Sequence, residues 1–229
     1  MLRLVHYPFS AHSRFVRLCL AEYGEEAELT EAKPWERREA LLKINPAGTI
    51  PILIENSGPA ICGYDVIAEY LDETRGPLQR DRRLMPENPN QRAEIRRLVN
   101  WFLVKMNEEA VSYLVKEKIE KIELGSSEGG PPDSQVVRVA RSNLRPHLDY
   151  ISFLAGTRNY LGGQRLSYAD LAAAAALSVV DYTGDIVWED DDAVKAWYSR
   201  MKSRPSFRAI LAERLRGLPP APHYTDLDF

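Results

Sequence analysis

Two serines, Ser10 and Ser13, are the side chains near the start of this sequence that are best suited to chemistry. Both lie in a polar loop that leads into an apolar segment with helical periodicity. A hydroxyl group and the amides at a helix N-terminus together can stabilise an anion such as a thiolate at neutral pH. Serine in such a loop also caps helices, and Ser13 is a candidate for that cap. The residue types alone leave both interpretations open.

Other reactive side chains do not form a recognisable constellation. The two cysteines, Cys19 and Cys62, lie in apolar patterns without CxxC spacing, so we expect buried thiols and neither a disulfide nor a zinc site. The four histidines are scattered without helical or HxxxH spacing. We therefore predict no metal.

The composition excludes several broad classes of function. The chain has 229 residues, and 45% of them are hydrophobic, which is enough for a globular core. Thirty basic and 33 acidic residues give a net charge of −3, so no long-range attraction to nucleic acid or anionic lipid is expected. The N-terminus becomes polar too early for a signal peptide, and the apolar run 171–180 is too short to span a membrane. These features predict a cytoplasmic protein.

The first third of the chain alternates strand and helix patterns. We predict strands at 2–6, near 27–30, at 50–54 and at 60–62. One helix follows the serine loop and ends at Gly24 as a left-handed cap, and another contains 66–71 and ends near Gly76-Pro77. We place an α/β domain at 1–77 and a linker, rich in Arg, Pro, Asp and Asn, at 78–89.

The remainder of the chain has helical periodicity. One apolar stripe predicts a long helix from about 95 to 124, and further helices are predicted at 136–155, 167–180, 193–202 and 205–215. These form an all-helical domain at 90–217. The proline-containing segment 218–229 cannot continue a helix, so we predict an extended tail.

Four motifs, in the expected order, resemble the glutathione S-transferase superfamily. They are the loop and helix start at 10–18, the sequence NPAGTIPIL at 45–53, the sequence GQRLSYAD at 163–170, and the helix and RPSF turn at 194–207. The resemblance implies a thioredoxin-like N-terminal domain, a helical C-terminal domain and a cis bond before Pro51. In the third motif Ser167 and Asp170 have the spacing of a capping box.

The resemblance also predicts a vestigial glutathione site, formed by Ser10, Ser13, Ile50, Pro51, Gly63, Tyr64 and Asp65. Glutathione-binding members carry an acid or amide followed by serine, which hold the charged γ-glutamyl end; this chain has Gly63-Tyr64. Losing one partner of a buried charged pair costs roughly 2–5 kcal/mol of binding free energy, and each ~1.4 kcal/mol lost lowers the affinity tenfold. We therefore expect no cofactor and no catalysis. Asp65 remains a candidate to hold the ammonium group if the register shifts.

Three surfaces are candidates for binding a partner. The tail offers Tyr224, Asp226, Leu227, Asp228 and Phe229, although a terminal segment also commonly folds over its own domain or is disordered. The segment 33–39 places Trp35 beside Arg37 and Arg38, which are residue types enriched at interfaces, although Trp35 can simply pack on a neighbouring helix. The charged stretch 116–123, with Glu117 and Glu120, is either a docking strip or an ordinary solvated helix face.

Within the superfamily the chain most closely resembles a branch of bacterial cell-division proteins. That resemblance implies a non-enzymatic homodimer that is recruited to the division site. It would bind filaments of the tubulin homologue FtsZ, promote their curvature and link them to septal wall synthesis, with the wall-synthesis machinery as a second partner, bound through the tail. The alternative is an active glutathione transferase or isomerase in which Ser10 stabilises the glutathione thiolate.

Overall fold

The structure is a computed structural model that describes residues 1–125, 127–188 and 192–227. Its N-terminal part alternates strands and helices. The elements are β1 (Leu2–His6), α1 (Ala11–Tyr23), β2 (Ala27–Glu31), α2 (Glu39–Ile44), β3 (Ile52–Glu55), β4 (Ala60–Cys62) and α3 (Tyr64–Thr74). The predicted strands and helices of this part are confirmed, with small shifts at their ends.

The four strands form one mixed sheet in the order β2-β1-β3-β4. Strand β1 runs parallel to β2 and antiparallel to β3, so that Leu4 pairs with Leu29 on one side and with Leu53 on the other. The apolar side chains of β1 are buried, as are Ile52 and Leu53 of β3, whereas the edge strand β2 is largely exposed. Helix α1 ends at Gly24 with φ of 74°, which confirms the predicted left-handed cap.

The C-terminal part is helical, as predicted. A continuous helix, α4, runs from Pro89 to Leu124. Its α-helical parts, Pro89–Asn100, Ser112–Val115 and Lys121–Leu124, alternate with wider π-helical turns, Trp101–Lys105, Asn107–Val111 and Lys116–Glu120. The other helices are α5 (Ser134–Thr157), α6 (Tyr168–Tyr182), α7 (Asp192–Lys202) and a single turn, α8 (Arg208–Leu211).

Helix α6 is the centre of the helical domain, because every residue from Tyr168 to Tyr182 is buried. The apolar run noted in the sequence is therefore a core helix. The predicted capping box at its start is confirmed: Asp170 Oδ2 accepts hydrogen bonds from the Ser167 amide and hydroxyl at 3.1 and 3.0 Å.

The helix predicted at 205–215 is too long. Pro205–Phe207 is a 3₁₀ turn, and α8 ends at Leu211. The chain leaves the helix there and brings Glu213 to two arginines of α1, Arg14 and Arg17. Arg14 is fully buried, so its charge needs a carboxylate partner. The ion pair with Glu213 therefore outweighs the local preference of this segment for a helix.

The two domains share an extensive interface in which α1 packs against α6. Polar contacts fix its ends: Tyr23 and Tyr168 hydroxyls lie 2.8 Å apart, and Arg204 makes two hydrogen bonds to Glu22 at 2.6 and 2.7 Å. In the described part of the chain, no helix is long and apolar enough to cross a membrane. The same residues contain no cluster of three or more potential metal ligands.

Candidate functional site

The serine loop connects β1 to α1, and it is Ser10 that caps the helix. Ser10 Oγ accepts a hydrogen bond from the Ser13 amide at 3.2 Å. Ser13 is fully buried, and its hydroxyl accepts from the Tyr7 amide at 3.2 Å. The suggestion that Ser13 is the cap is therefore wrong. A hydroxyl group that accepts one bond retains its proton, so Ser10 can still donate to a ligand.

Ser10 lines a cavity of about 280 Å³ between the two domains. The loop after β1, the turn containing Trp35 and residues 48–50 form the N-terminal side, while Asn107, Ser112 and Glu120 of α4 form the other. Cavities that enclose small organic ligands are typically about 300–1,000 Å³, so this one is small.

Aromatic rings fill much of the N-terminal side of the cavity. The Trp35 ring meets the Tyr7 ring edge-on, with centroids 4.9 Å apart, and Trp35 is half-buried. Tyr7 itself is buried, and burial together with the Glu123 carboxylate raises the pKa of its hydroxyl. Tyr7 therefore stays protonated at neutral pH.

The bond between Ile50 and Pro51 is cis, as the resemblance predicted. The Pro51 carbonyl accepts a hydrogen bond from the Gly63 amide at 3.1 Å. This contact positions the turn that leads into α3, where the γ-glutamyl group would bind in a glutathione-binding member.

The Tyr64 side chain occupies this corner of the ancestral glutathione site, at the start of α3, where the γ-glutamyl group would bind. Its ring stacks on His12, with centroids 4.6 Å apart and planes at 8°. The His12 Nε2–H group donates to the Leu103 carbonyl of α4 at 2.7 Å, and burial lowers the pKa of His12. The stacked pair is thus neutral at physiological pH and ties α1, α3 and α4 together.

The corner also lacks the expected acid. Gly63 has φ of 100°, a region that side chains other than glycine rarely adopt, and a Cβ there would lie 2.9 Å from Asp65 Oδ1. Asp65 does not line the cavity that contains Ser10. With Tyr64, it lines a separate cleft of about 450 Å³ between α3 and α4. The predicted site residues are therefore not brought together in one cavity. Ser10 and Ile50 line the first cleft and Tyr64 and Asp65 the second, whereas the remaining three line neither: Ser13, Pro51 and Gly63.

The predicted tail surface is partly wrong. Tyr224 is fully buried, its ring packs on Tyr182 at 5.1 Å, and its hydroxyl donates to the Ile210 carbonyl at 3.1 Å. The Tyr182 hydroxyl also donates to the Leu218 carbonyl at 2.7 Å. The tail is therefore folded onto the helical domain up to this tyrosine instead of extended, because burying a large aromatic ring outweighs the stiffness of its prolines.

Beyond Tyr224, the described chain is exposed: Asp226 lies at the surface and Leu227 is 39% exposed. Asp228 and Phe229, also predicted to bind a partner, lie outside the described residues.

The two other predicted surfaces have different outcomes. Arg37 and Arg38 are exposed, and Arg38 pairs with Glu36 at 2.5 Å. Glu117 is buried and accepts from the Asp133 amide at 2.7 Å, so its prediction as a docking residue is wrong. Glu120 lines the Ser10 cavity instead of a distal strip, and burial raises the pKa of its carboxyl group.

Sequence patterns do not identify several of the residues that line this cavity. His12 is one of four histidines without a recognisable spacing, and Asn107 and Ser112 belong to none of the four motifs. The polar positions of α4 carry a usable signal, because Asn107, Ser112 and Glu120 recur at roughly helical spacing opposite the serine loop.

Comparisons with known proteins agree with this geometry. Residues 4–80 match the family model of the glutathione S-transferase N-terminal domain, and residues 126–205 match that of the C-terminal domain. The chain is 43% identical to FtsZ-localized protein A of Caulobacter vibrioides over 229 residues, which cover 99% of this chain and 97% of the relative.

Two solved structures are similar over the full length. A structure described as glutathione S-transferase from Sinorhizobium meliloti 1021 is 55% identical, covers 100% of both chains and superposes with a TM-score of 0.97. FzlA from C. crescentus is 43% identical, covers 100% of this chain and 99% of its own, and has a TM-score of 0.92.

Proposed function

Because this chain belongs to the glutathione S-transferase superfamily but lacks the acid–serine pair of its glutathione-binding members, we propose that it is a non-catalytic member that binds FtsZ filaments. The stacked His12–Tyr64 pair carries the proposal. An aromatic pair occupies the corner where two charged groups of glutathione would need partners, and unpaired charges do not leave water without a large cost. No cofactor is required for this function.

The identity to FtsZ-localized protein A over almost the whole chain supports FtsZ as the partner. The exposed residues next to the cavity mouth form the proposed contact surface, with Trp35 as its anchor and Arg37 and Arg38 at its edge. We extend the proposal to the biological role: the protein promotes curved FtsZ filaments at the division site and links them to septal wall synthesis through the end of its tail.

We also propose that the protein acts as a homodimer through the α3–α4 cleft. Val66 is 51% exposed at this cleft, and Glu69 and Arg96 form an ion pair with each other on the same rim. A two-fold axis brings the same apolar and polar patch of two copies into contact. A dimer would present two filament sites and gain avidity, and sedimentation velocity of the purified chain measures the assembly directly.

Co-sedimentation with GTP-assembled FtsZ tests the main proposal. The wild-type chain should pellet with filaments, and Trp35→Ala should weaken binding by at least about tenfold, as expected for a hot-spot aromatic residue. Phe153→Ala is the control, because it removes a 62% exposed ring from α5, which does not line the cavity. Failure of the wild-type chain to pellet would contradict the proposal.

The second candidate is a glutathione-dependent enzyme, and one observation favours it: the Ser10 hydroxyl lines the cavity at the N-terminus of α1. Retention on immobilised glutathione together with conjugation of a generic electrophile would establish this activity. We expect neither for the wild-type chain.

Tyr64→Ser should increase glutathione affinity measurably, because it opens the corner that the tyrosine ring occupies. Binding of glutathione to the wild-type chain with micromolar affinity would contradict the hypothesis that Gly63-Tyr64 prevents it.

A further inference from the structure

A basic cleft of about 570 Å³ lies on the helical domain, away from both clefts described above. The first half of α5, from Ser134 to Arg145, forms most of it, and Lys118 of α4 completes it. None of its lining residues lines the Ser10 cavity or the α3–α4 cleft. A ligand of this basic cleft would therefore bind independently of the ancestral glutathione site.

Two of the four cations in this cleft are held in place. The buried carboxylate of Asp185 accepts from Lys118 Nζ at 2.9 Å and from Arg141 Nε at 2.7 Å. Lys118 also donates to the Thr183 carbonyl at 2.8 Å. This arrangement fixes the two side chains before any ligand arrives, which reduces the entropic cost of binding.

The other two cations, Arg138 and Arg145, are exposed, and neither makes an ion pair or side-chain hydrogen bond within the described residues. They are seven residues apart, so they lie on the same face of α5 at a spacing of about 10 Å. Four cations and one carboxylate leave this face strongly positive in a chain whose net charge is −3.

We propose that this basic cleft, formed by Lys118, Arg138, Arg141 and Arg145, binds a carboxylate-rich peptide segment of a partner protein. A single small anion would have to draw both flexible arginine side chains inward, whereas acidic residues three positions apart in a polyproline II peptide lie on one face about 9 Å apart and match the spacing of Arg138 and Arg145. The hydroxyls of Ser134 and Ser142 also line the cleft and can contact the peptide backbone.

Nucleic acid is a poorer match than an acidic peptide. No aromatic side chain lines the cleft among the described residues, so bases have no ring to stack on. The acidic chain as a whole also offers no long-range attraction to a polyanion of that length.

Fluorescence anisotropy with fluorescein-labelled octaglutamate tests the proposal on the full-length chain. Binding should be saturable at low ionic strength and weaken as salt is added. The double variant Arg138→Gln/Arg145→Gln should bind about tenfold more weakly, because it removes two charge-assisted contacts.

The control variant, Arg82→Gln/Arg208→Gln, makes the same change in net charge. These two arginines are exposed, outside the cleft, and without an ion pair in the described part of the chain. It should bind octaglutamate like the wild-type chain, and thermal melting of all three proteins checks that they are folded.

Four results would overturn the proposal. Equal weakening by the two double variants would show attraction to net charge alone. Tighter binding of an oligothymidylate of equal charge would assign the cleft to nucleic acid, and competition by submillimolar inorganic phosphate would assign it to a small anion. Absence of octaglutamate binding at low salt would remove the acidic-peptide site altogether.

Discussion

At the scale of single residues, burial keeps three histidines, His6, His12 and His147, uncharged at neutral pH because it lowers their pKa values. His6 is 4% exposed in β1, and its burial, with a smaller contribution from Arg17, lowers its pKa from 6.5 to about 4. Burial also lowers the pKa values of His12 and His147. The folded protein therefore contains neutral imidazoles that protonate readily when the chain unfolds.

This difference predicts a loss of stability in acid. Between pH 7 and pH 4 the unfolded chain binds a proton at His6 before the folded chain does, so acidification favours unfolding. With a folded pKa of about 4, His6 alone should lower the free energy of unfolding by about 3 kcal/mol over this range. Urea denaturation at a series of pH values measures the effect.

His6→Gln is the comparison variant for this measurement. Its stability should fall less steeply than that of the wild-type chain between pH 6.5 and pH 4, whatever its stability at pH 7. Parallel curves for the two proteins would contradict the assignment to His6.

At the scale of elements, the start of α6 shows how one side chain organises several segments. Asp170 is fully buried and accepts from the amides of Leu161 and Ser167 and from Trp197 Nε1 at 2.8, 3.1 and 3.1 Å. These donors belong to the loop before α6, to its N-cap and to α7. The capping box therefore also joins α6 to α7 and to the preceding loop.

Asp170→Ala should be far more damaging than the loss of an ordinary helix cap. It leaves four buried donors without an acceptor, because the Ser167 hydroxyl also donates to this carboxylate. We expect it to reduce the free energy of unfolding by about 3–4 kcal/mol. Chemical denaturation monitored by circular dichroism gives this value.

Asp133→Ala provides the matched control. Asp133 is the exposed N-cap of α5, and within the described residues its side chain accepts only from the first amides of that helix. Its loss should cost about 1 kcal/mol. Similar effects of the two substitutions would show that Asp170 is no more than a cap.

At the scale of the whole molecule, the tail belongs to the folded body up to Tyr224 and is exposed beyond it. The Lys202 Nζ group donates to the His223 carbonyl at 3.1 Å, and the Ala221 amide donates to the Tyr182 carbonyl at 2.9 Å. The residues that anchor the tail and the residues proposed to bind a partner are therefore only a few positions apart, and truncations at different positions should separate the two roles.

Deleting residues 226–229 should change the free energy of unfolding by less than about 0.5 kcal/mol, because the residues that anchor the tail remain. Tyr224→Ala should instead reduce it by about 4 kcal/mol, as for other buried aromatic residues. Thermal and urea denaturation measure both.

If the end of the tail is a docking peptide, the deletion should also abolish the division function in cells while the protein stays folded. Normal division with the shortened chain would reject that role for residues 226–229.

The sequence by itself determined the order and type of the elements other than the short helix α2, the capping box at Ser167 and the glycine-tyrosine substitution at 63–64, and its resemblance to a family implied the cis bond at Pro51. These depend on local spacing and on residue types that few positions accept. The tertiary structure alone decided that His12 stacks on Tyr64, that Glu117 and Tyr224 are buried, and that the last helix stops short of Glu213. Each of these depends on a partner far away in the chain, and a local pattern carries no information about which distant side chain will fill a given space or pair with a given charge.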